Sequence, residues 1–255
     1  MVSFDNYRNR FETIAFRRED GILEMRLHSD GGPLQWSLTA HDELEQAFLD
    51  LSRDAENKVL LLTGTGGEFS GPEVPAGASA ARRISAAEFA EIVRVGRRLQ
   101  LNCLEVPVPM IAAVNGPARR HPELPLLADI VLMSEDALFQ DSAHFRGGMV
   151  PGDGVHVVFP HLMGKTRASY FLMTAQEIGA TEAKALGLAN EVLPAARLMD
   201  RAWELAREIA AQPDAVRRET RAVLNRELKD LMHAYLEHGL EAEARAHQEQ
   251  QEERE

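Results

Sequence analysis

Three short apolar runs constrain this chain more than any other feature: "KVLLLTG" from Lys58, "MIAAVNG" from Met110 and "IVLMSE" from Ile130. Each is apolar without alternation and is closed by glycine or a polar residue within a strand's length. Such runs fit strands covered on both faces, which parallel pairing with helical crossovers produces. Helical spacing lies between the first two. The prediction is an α/β fold around a buried parallel sheet. With 255 residues and 45% hydrophobic content, the chain can bury one such core and carry an appended helical part.

Ahead of these runs, "TIAF" and "GILEMRLH" alternate around the polar turn "RREDG", predicting an opening hairpin that turns at Asp20 and Gly21. Thr39 followed three residues later by Asp42 resembles a capping box, and Leu44, Ala47, Phe48 and Leu51 recur at helical spacing. From Gly64 to Ser85 the chain is rich in Gly, Ala, Pro and Ser without a period, which predicts a long surface loop beside a site. After Asp153 the pattern is helical almost to the end. One long helix is expected from Pro213 into the acidic tail.

A formal charge of −12 and the ending "EAEARAHQEQQEERE" argue against a nucleic-acid partner, because phosphate binding needs clustered Lys and Arg. The single cysteine, Cys103, cannot form an internal disulfide, and "MVSFDNYRNRFETIAF" has no long apolar run. No membrane partner and a cytoplasmic location are the expectations.

From Gly148 the chain reads "GMVPGDGVHVVFPHLMGKTRASYFLMTAQEIGATEAKALGLANEVLP". This resembles the crotonase (enoyl-CoA hydratase/isomerase) superfamily, with its G-(L/I)-x-P-x-x-G segment before a helix and its E-A-x-x-x-G-L-V-x-x-V-x-P ending. Upstream, "VLLLTGTGGEFSGPEV" and "PVPMIAAVNGPARRHPELPLLADIVL" resemble the superfamily's two oxyanion loops. The resemblance implies a crotonase-like spiral of ββα units over residues 1–195 and a C-terminal helical trimerisation region over 196–255. It also implies assembly as a homotrimer or hexamer.

The departures narrow the reading. Members of the superfamily polarise a thioester carbonyl with two backbone N–H groups, an oxyanion hole. Here the first loop reads Gly71-Pro72-Glu73-Val74, and the second carries Arg120-His121-Pro122 where glycines are usual. Proline has no N–H to donate. The chain resembles instead the β-diketone hydrolases of that superfamily, the group of 6-oxocamphor hydrolase, which cleave a C–C bond without coenzyme A or any other cofactor. The segments that carry this likeness are "QWSLTAHDELE", "NGPARRHPELP", "FQDSAHFRGGMVPGDGVHVVFPH" and "GLEAEA". By that resemblance His121, His144, Asp153, Trp36 and Glu243 match active-site groups, with His41 a further candidate.

Cleavage between two carbonyls needs a base to activate water, a donor for the attacked oxygen, and stabilisation of the departing enolate. The implied substrate is a cyclic or otherwise non-enolisable β-diketone, opened to a keto acid. His144 suits the base, since an imidazole titrates near neutrality, and Asp153 would bond its other ring nitrogen and fix the tautomer. Trp36 and His121 can donate from side chains where amides are missing. Glu243 could orient substrate or move a proton.

Simpler readings stand beside these. His41 could interact with the first turn of its helix, Trp36 could be a core aromatic, and His156 and His161 could lie behind the site or on the surface. No H-E-x-x-H or Cys/His ligand spacing is present, so no metal is expected. A Ser142-His144-Asp153 triad is an alternative without a Gly-x-Ser-x-Gly elbow. Glu123 matches an acidic position of CoA hydratases and supports a rival reading, a CoA-thioester hydratase or isomerase with a remodelled oxyanion hole. A non-catalytic scaffold of the same fold is the third.

Overall fold

The computed structural model describes residues 2–81 and 83–253. Strands β1 (Ile14–Glu19), β2 (Ile22–Leu27), β3 (Val59–Thr63), β4 (Met110–Val114) and β5 (Ile130–Ser134) lie side by side in chain order. Strands β6 (Leu138–Phe139) and β7 (Ile178–Gly179) pair apart as a short antiparallel ribbon, and β8 (Glu191–Leu193) completes the main sheet beyond β5. Only β1 and β2 are antiparallel within that sheet; every later neighbour is parallel. The hairpin turns through Asp20 (φ 52°) and Gly21 (φ 86°), the left-handed pair that a tight two-residue turn demands.

The helices are α1 (Phe4–Tyr7), α2 (Leu38–Arg53), α3 (Ala78–Ala81), α4 (Ala86–Glu105), α5 (Val155–Met163), α6 (Lys165–Thr174), α7 (Ala180–Ala185), α8 (Ala195–Ala210), α9 (Asp214–Leu224) and α10 (Arg226–Glu252). The apolar runs behave as their composition requires. Leu60, Leu62, Met110, Ala112 and Val114 face a large core shared with α2, α4, α5 and α10, while Val59, Leu61, Ile111 and Ala113 face a second core. That second face is sealed by Leu198, Ala202, Trp203 and Ala206 of α8. Covering both faces is what removes alternation from β3 and β4.

Two expected boundaries differ. Helix α2 starts before Thr39: Ser37 is the N-cap, its Oγ accepting from the Ala40 N–H at 3.1 Å, so Thr39 lies inside the first turn and Asp42 just beyond it. The long C-terminal helix is two, broken at Asn225, whose side chain turns away to donate to Asp129 Oδ1 at 2.7 Å. The expected loop over 64–85 is irregular apart from the short α3, and Ser85 with Glu88 forms a reciprocal capping box at the start of α4. Among the described residues no helix is long and apolar enough to cross a membrane.

Candidate active site

Ligands of open parallel sheets gather where strands end at their carboxyl side. The loops leaving β2, β4 and β6 bring Trp36, His121 and His144 to one cavity of about 510 Å³. Asp153 reaches it from the turn before α5, His41 from the first turn of α2, and Glu243 from α10. All six site residues expected from sequence therefore line the same space. Leu38, Val74, Phe89, Ile92, Val93, Met149 and Leu240 supply an apolar wall.

His144 sits between two carboxylates. Its Nδ1 bonds Asp141 Oδ1 at 2.7 Å, and its Nε2 lies 3.3 Å from Asp153 Oδ2. Asp141 thus holds one ring nitrogen and Asp153 stands beside the other, where the sequence led to one carboxylate partner, Asp153. Burial opposes charge on the ring, but Asp141 and Asp153 outweigh it and raise the His144 pKa well above the usual value. For Asp153, burial favours the neutral acid, and the two imidazoles His144 and His121 overcome that and hold it ionised below the usual carboxylate range.

Asp153 Oδ2 also lies 3.3 Å from Nδ1 of His121, which bonds Glu123 Oε1 at 2.8 Å. The result is a continuous row of acids and imidazoles: Asp141, His144, Asp153, His121, Glu123; burial raises the pKa of Glu123, against the pull of His121. Burial lowers the His121 pKa, while Glu123 and Asp153 raise it further, so the net direction is upward. His121 adopts φ 48°, a left-handed conformation that glycine takes freely and other residues rarely do. An imidazole thus occupies backbone shaped for glycine, held by its side-chain contacts.

The Trp36 indole lies over the His121 ring, with centroids 4.1 Å apart and planes tilted by 31°. His41 packs 5.8 Å from Trp36 and 5.3 Å from His121. Its pKa is lowered to about 3 by burial and then by the neighbouring His121, so it is a neutral ring that braces the other two. Burial pushes the carboxyl of Glu243 up to about 8, against the pull of His144. That direction favours the neutral acid, the form that can donate a hydrogen bond. Its partial exposure is toward the cavity it lines.

Several amides of the two loops are already engaged. In the first, Gly71 N–H bonds Leu34 O at 3.0 Å and Val74 N–H bonds Ser142 Oγ at 3.0 Å, while Pro72 has no N–H. In the second, the Arg119 and Arg120 N–H groups both turn to Ser70 O, and Pro122 again offers nothing. Ser142 Oγ donates to Arg119 O at 2.9 Å. With its proton spent there, Ser142 is not placed to hand it to His144, which removes the geometric basis of the serine triad.

His156 lies behind the site, its Nε2 bonding Tyr235 O at 3.1 Å, and His161 is exposed. His121, Glu123 and Asp153 each present a ligand-type atom within 4.8 Å of the others, a grouping that motif spacing did not reveal. Of those atoms, Glu123 Oε1 accepts from Gln100 Nε2 and bonds His121 Nδ1, which also lies 3.3 Å from Asp153 Oδ2. Sequence reasoning also missed Asp141 and Gln100. For Asp141 a signal existed in "QDSAH", since an acid three residues before a histidine can fold back onto its ring.

The enoyl-CoA hydratase/isomerase family model matches residues 17–255. Among solved structures, a β-diketone hydrolase from the cyanobacterium Anabaena, bound to (S)-3-oxocyclohexyl acetic acid, is 39% identical. The match covers 94% of this chain and 96% of that one, with a TM-score of 0.88. An enoyl-CoA hydratase/isomerase from Mycobacterium paratuberculosis is 28% identical over 94% and 95% of the two chains, with a TM-score of 0.85. A carnitinyl-CoA dehydratase of Shigella flexneri is 30% identical over 78% of this chain and 74% of its own. By fold, by the family match and by these likenesses, the chain belongs to the enoyl-CoA hydratase/isomerase family.

Proposed function

We propose that the protein is a hydrolase that opens a cyclic or non-enolisable β-diketone to a keto acid, without coenzyme A. The observation that carries this reading is the replacement of the backbone donors. Val74 N–H is tied to Ser142 Oγ, while the imidazole of His121 and the indole of Trp36 line the same cavity as the His144–Asp153 pair. The keto acid held by the Anabaena enzyme supports it, being what water makes from a bicyclic β-diketone. The apolar wall suits such a ring.

In this reading His121 and Trp36 donate to one carbonyl oxygen. The His144–Asp153 pair takes a proton from water, and the hydroxide adds to that carbonyl carbon. The negative charge gathers on the oxygen between the two donors. The bond to the carbon between the carbonyls then breaks, its electron pair passing into an enolate of the second carbonyl. Glu243, held as the neutral acid, donates to that second oxygen. The proton taken from water returns to carbon, leaving a carboxylic acid and a ketone. One water is consumed and the atoms balance.

The names of the CoA-dependent relatives and the retained Glu123 favour the rival thioester reading. Glu123, however, is fully buried, and its Oε1 is bonded to His121 and Gln100. Steady-state kinetics with a bicyclic β-diketone and with an enoyl-CoA separate the two. The hydrolase reading expects turnover of the diketone alone, lowered about 10²–10⁴-fold in His144→Ala with the fold retained. Enoyl-CoA turnover without diketone turnover would reject it, an unaltered His144→Ala rate would reject His144 as the base, and turnover of neither substrate would leave only a scaffold. We further propose a homotrimer or hexamer, which would cover the exposed Val223 and Leu224.

A further inference from the structure

Glu123 has no place in the steps above, yet it is fully buried and bonded to a ring that lines the cavity. Its Oε1 receives both the amide of Gln100, on α4, and Nδ1 of His121. Gln100 Nε2 also donates to Asp153 O at 3.0 Å, so one amide joins the Glu123 and Asp153 segments. Two carboxylates therefore converge on the same nitrogen of His121. That nitrogen must carry its proton.

The consequence for the other nitrogen is chemical. A neutral imidazole with its proton on Nδ1 has a lone pair on Nε2 and can only accept there. Facing a developing oxyanion, such a ring would repel it. Nε2 can donate only if the ring is an imidazolium, and that charge needs a counter-ion in a buried site. Asp153 is shared with His144, which leaves Glu123 as the carboxylate bonded to His121 among the imidazoles. The cation of Arg120 and the neutral ring of His41 face His121 from other sides, and Arg120 and burial disfavour its charge. The Trp36 ring at 4.1 Å favours it.

We propose that Glu123 is a positioning residue for diketone cleavage: through Nδ1 it fixes the His121 ring as a donor, so that Nε2–H meets the attacked oxygen. The proposal rests on the hydrolase reading for its catalytic meaning, but the hold of Glu123 on His121 can be read without substrate. The acid position shared with CoA hydratases thus acts through an imidazole in place of facing the substrate.

Selective ¹⁵N labelling of histidine, with NMR titration of wild type and Glu123→Gln, tests the hold directly. In wild type the His121 ring is expected to stay doubly protonated at a pH above the ordinary imidazole value near 6.5. In Glu123→Gln it becomes neutral below that pH. With a diketone, Glu123→Gln should lose about 10²-fold in kcat, the loss typical of one oxyanion donor. KM should stay within about threefold, because the interaction belongs to the transition state. The alkaline limb of kcat/KM should move to lower pH. A His121 ring already neutral in wild type at that pH overturns the proposal even if the variant fails to fold. So does a Glu123→Gln enzyme with wild-type kcat and pH limbs. If no diketone turns over at all, the hydrolase reading fails while the titration still reports on Glu123.

Discussion

At the residue scale the site depends on how carboxylates distribute charge between two imidazoles. Asp141 is the clearest lever, since it bonds Nδ1 of His144 at 2.7 Å and helps raise its pKa. A base acts in its deprotonated form, so kcat/KM should rise with pH through an apparent value above 6.5, the limb belonging to the coupled cluster. Asp141→Asn removes one of the charges that favour the imidazolium. The pKa then falls, and the limb moves to lower pH, while a less well oriented ring lowers the plateau. A pH profile of kcat/KM for the two proteins checks the sign; a limb that stays in place or moves up would refute the role. Of these residues His121 was named in the sequence where the family's glycines are replaced, and His144 and Asp153 through the resemblance to the β-diketone hydrolases. Asp141 could not be assigned, because nothing in the order of residues says which acid folds onto which ring nitrogen.

At the scale of elements, the close crossing of α10 over the start of α5 carries Glu243 into the cavity. Gly239 of α10 lies against Gly152 and the His156 ring, and a methyl group there would stand 2.6 Å from Gly152 O and overlap the imidazole. Glu243 lies one helical turn further on. Alanine is the better helix former by about 1 kcal/mol, but overpacking at a tight contact costs about 1–3 kcal/mol. His156 is tethered by its bond to Tyr235 O, so it yields poorly. Gly239→Ala should therefore lower the melting temperature and cut kcat by displacing Glu243. A thermal melt with parallel kinetics reads both, and a variant as stable and active as wild type would contradict the crossing's role. This crossing was not legible in the sequence, where Gly239 appears as one helix-weakening residue in a long polar pattern. The strands were legible, because burial on both faces writes itself as unbroken apolar runs. The break at Asn225 was not, since it depends on a partner, Asp129, far away in the chain.

At the scale of the molecule, one sheet face supports the site and the other is closed by α8. The fold was legible as a class because the same two-faced burial recurs from β2 to β5 and leaves helices no other place to pack. The chemistry lies in loops at the carboxyl ends of those strands, where relatives of one family can differ. Here both loops carry a proline, several of their amides bond within the protein, and imidazoles line the cavity. The most direct measurement is hydrolysis of a bicyclic β-diketone in H₂¹⁸O, with mass spectrometry of the product. The account predicts a keto acid carrying one ¹⁸O in its new carboxyl group, formed by wild type and not by His144→Ala. An intact diketone beside ready hydration of an enoyl-CoA would contradict it.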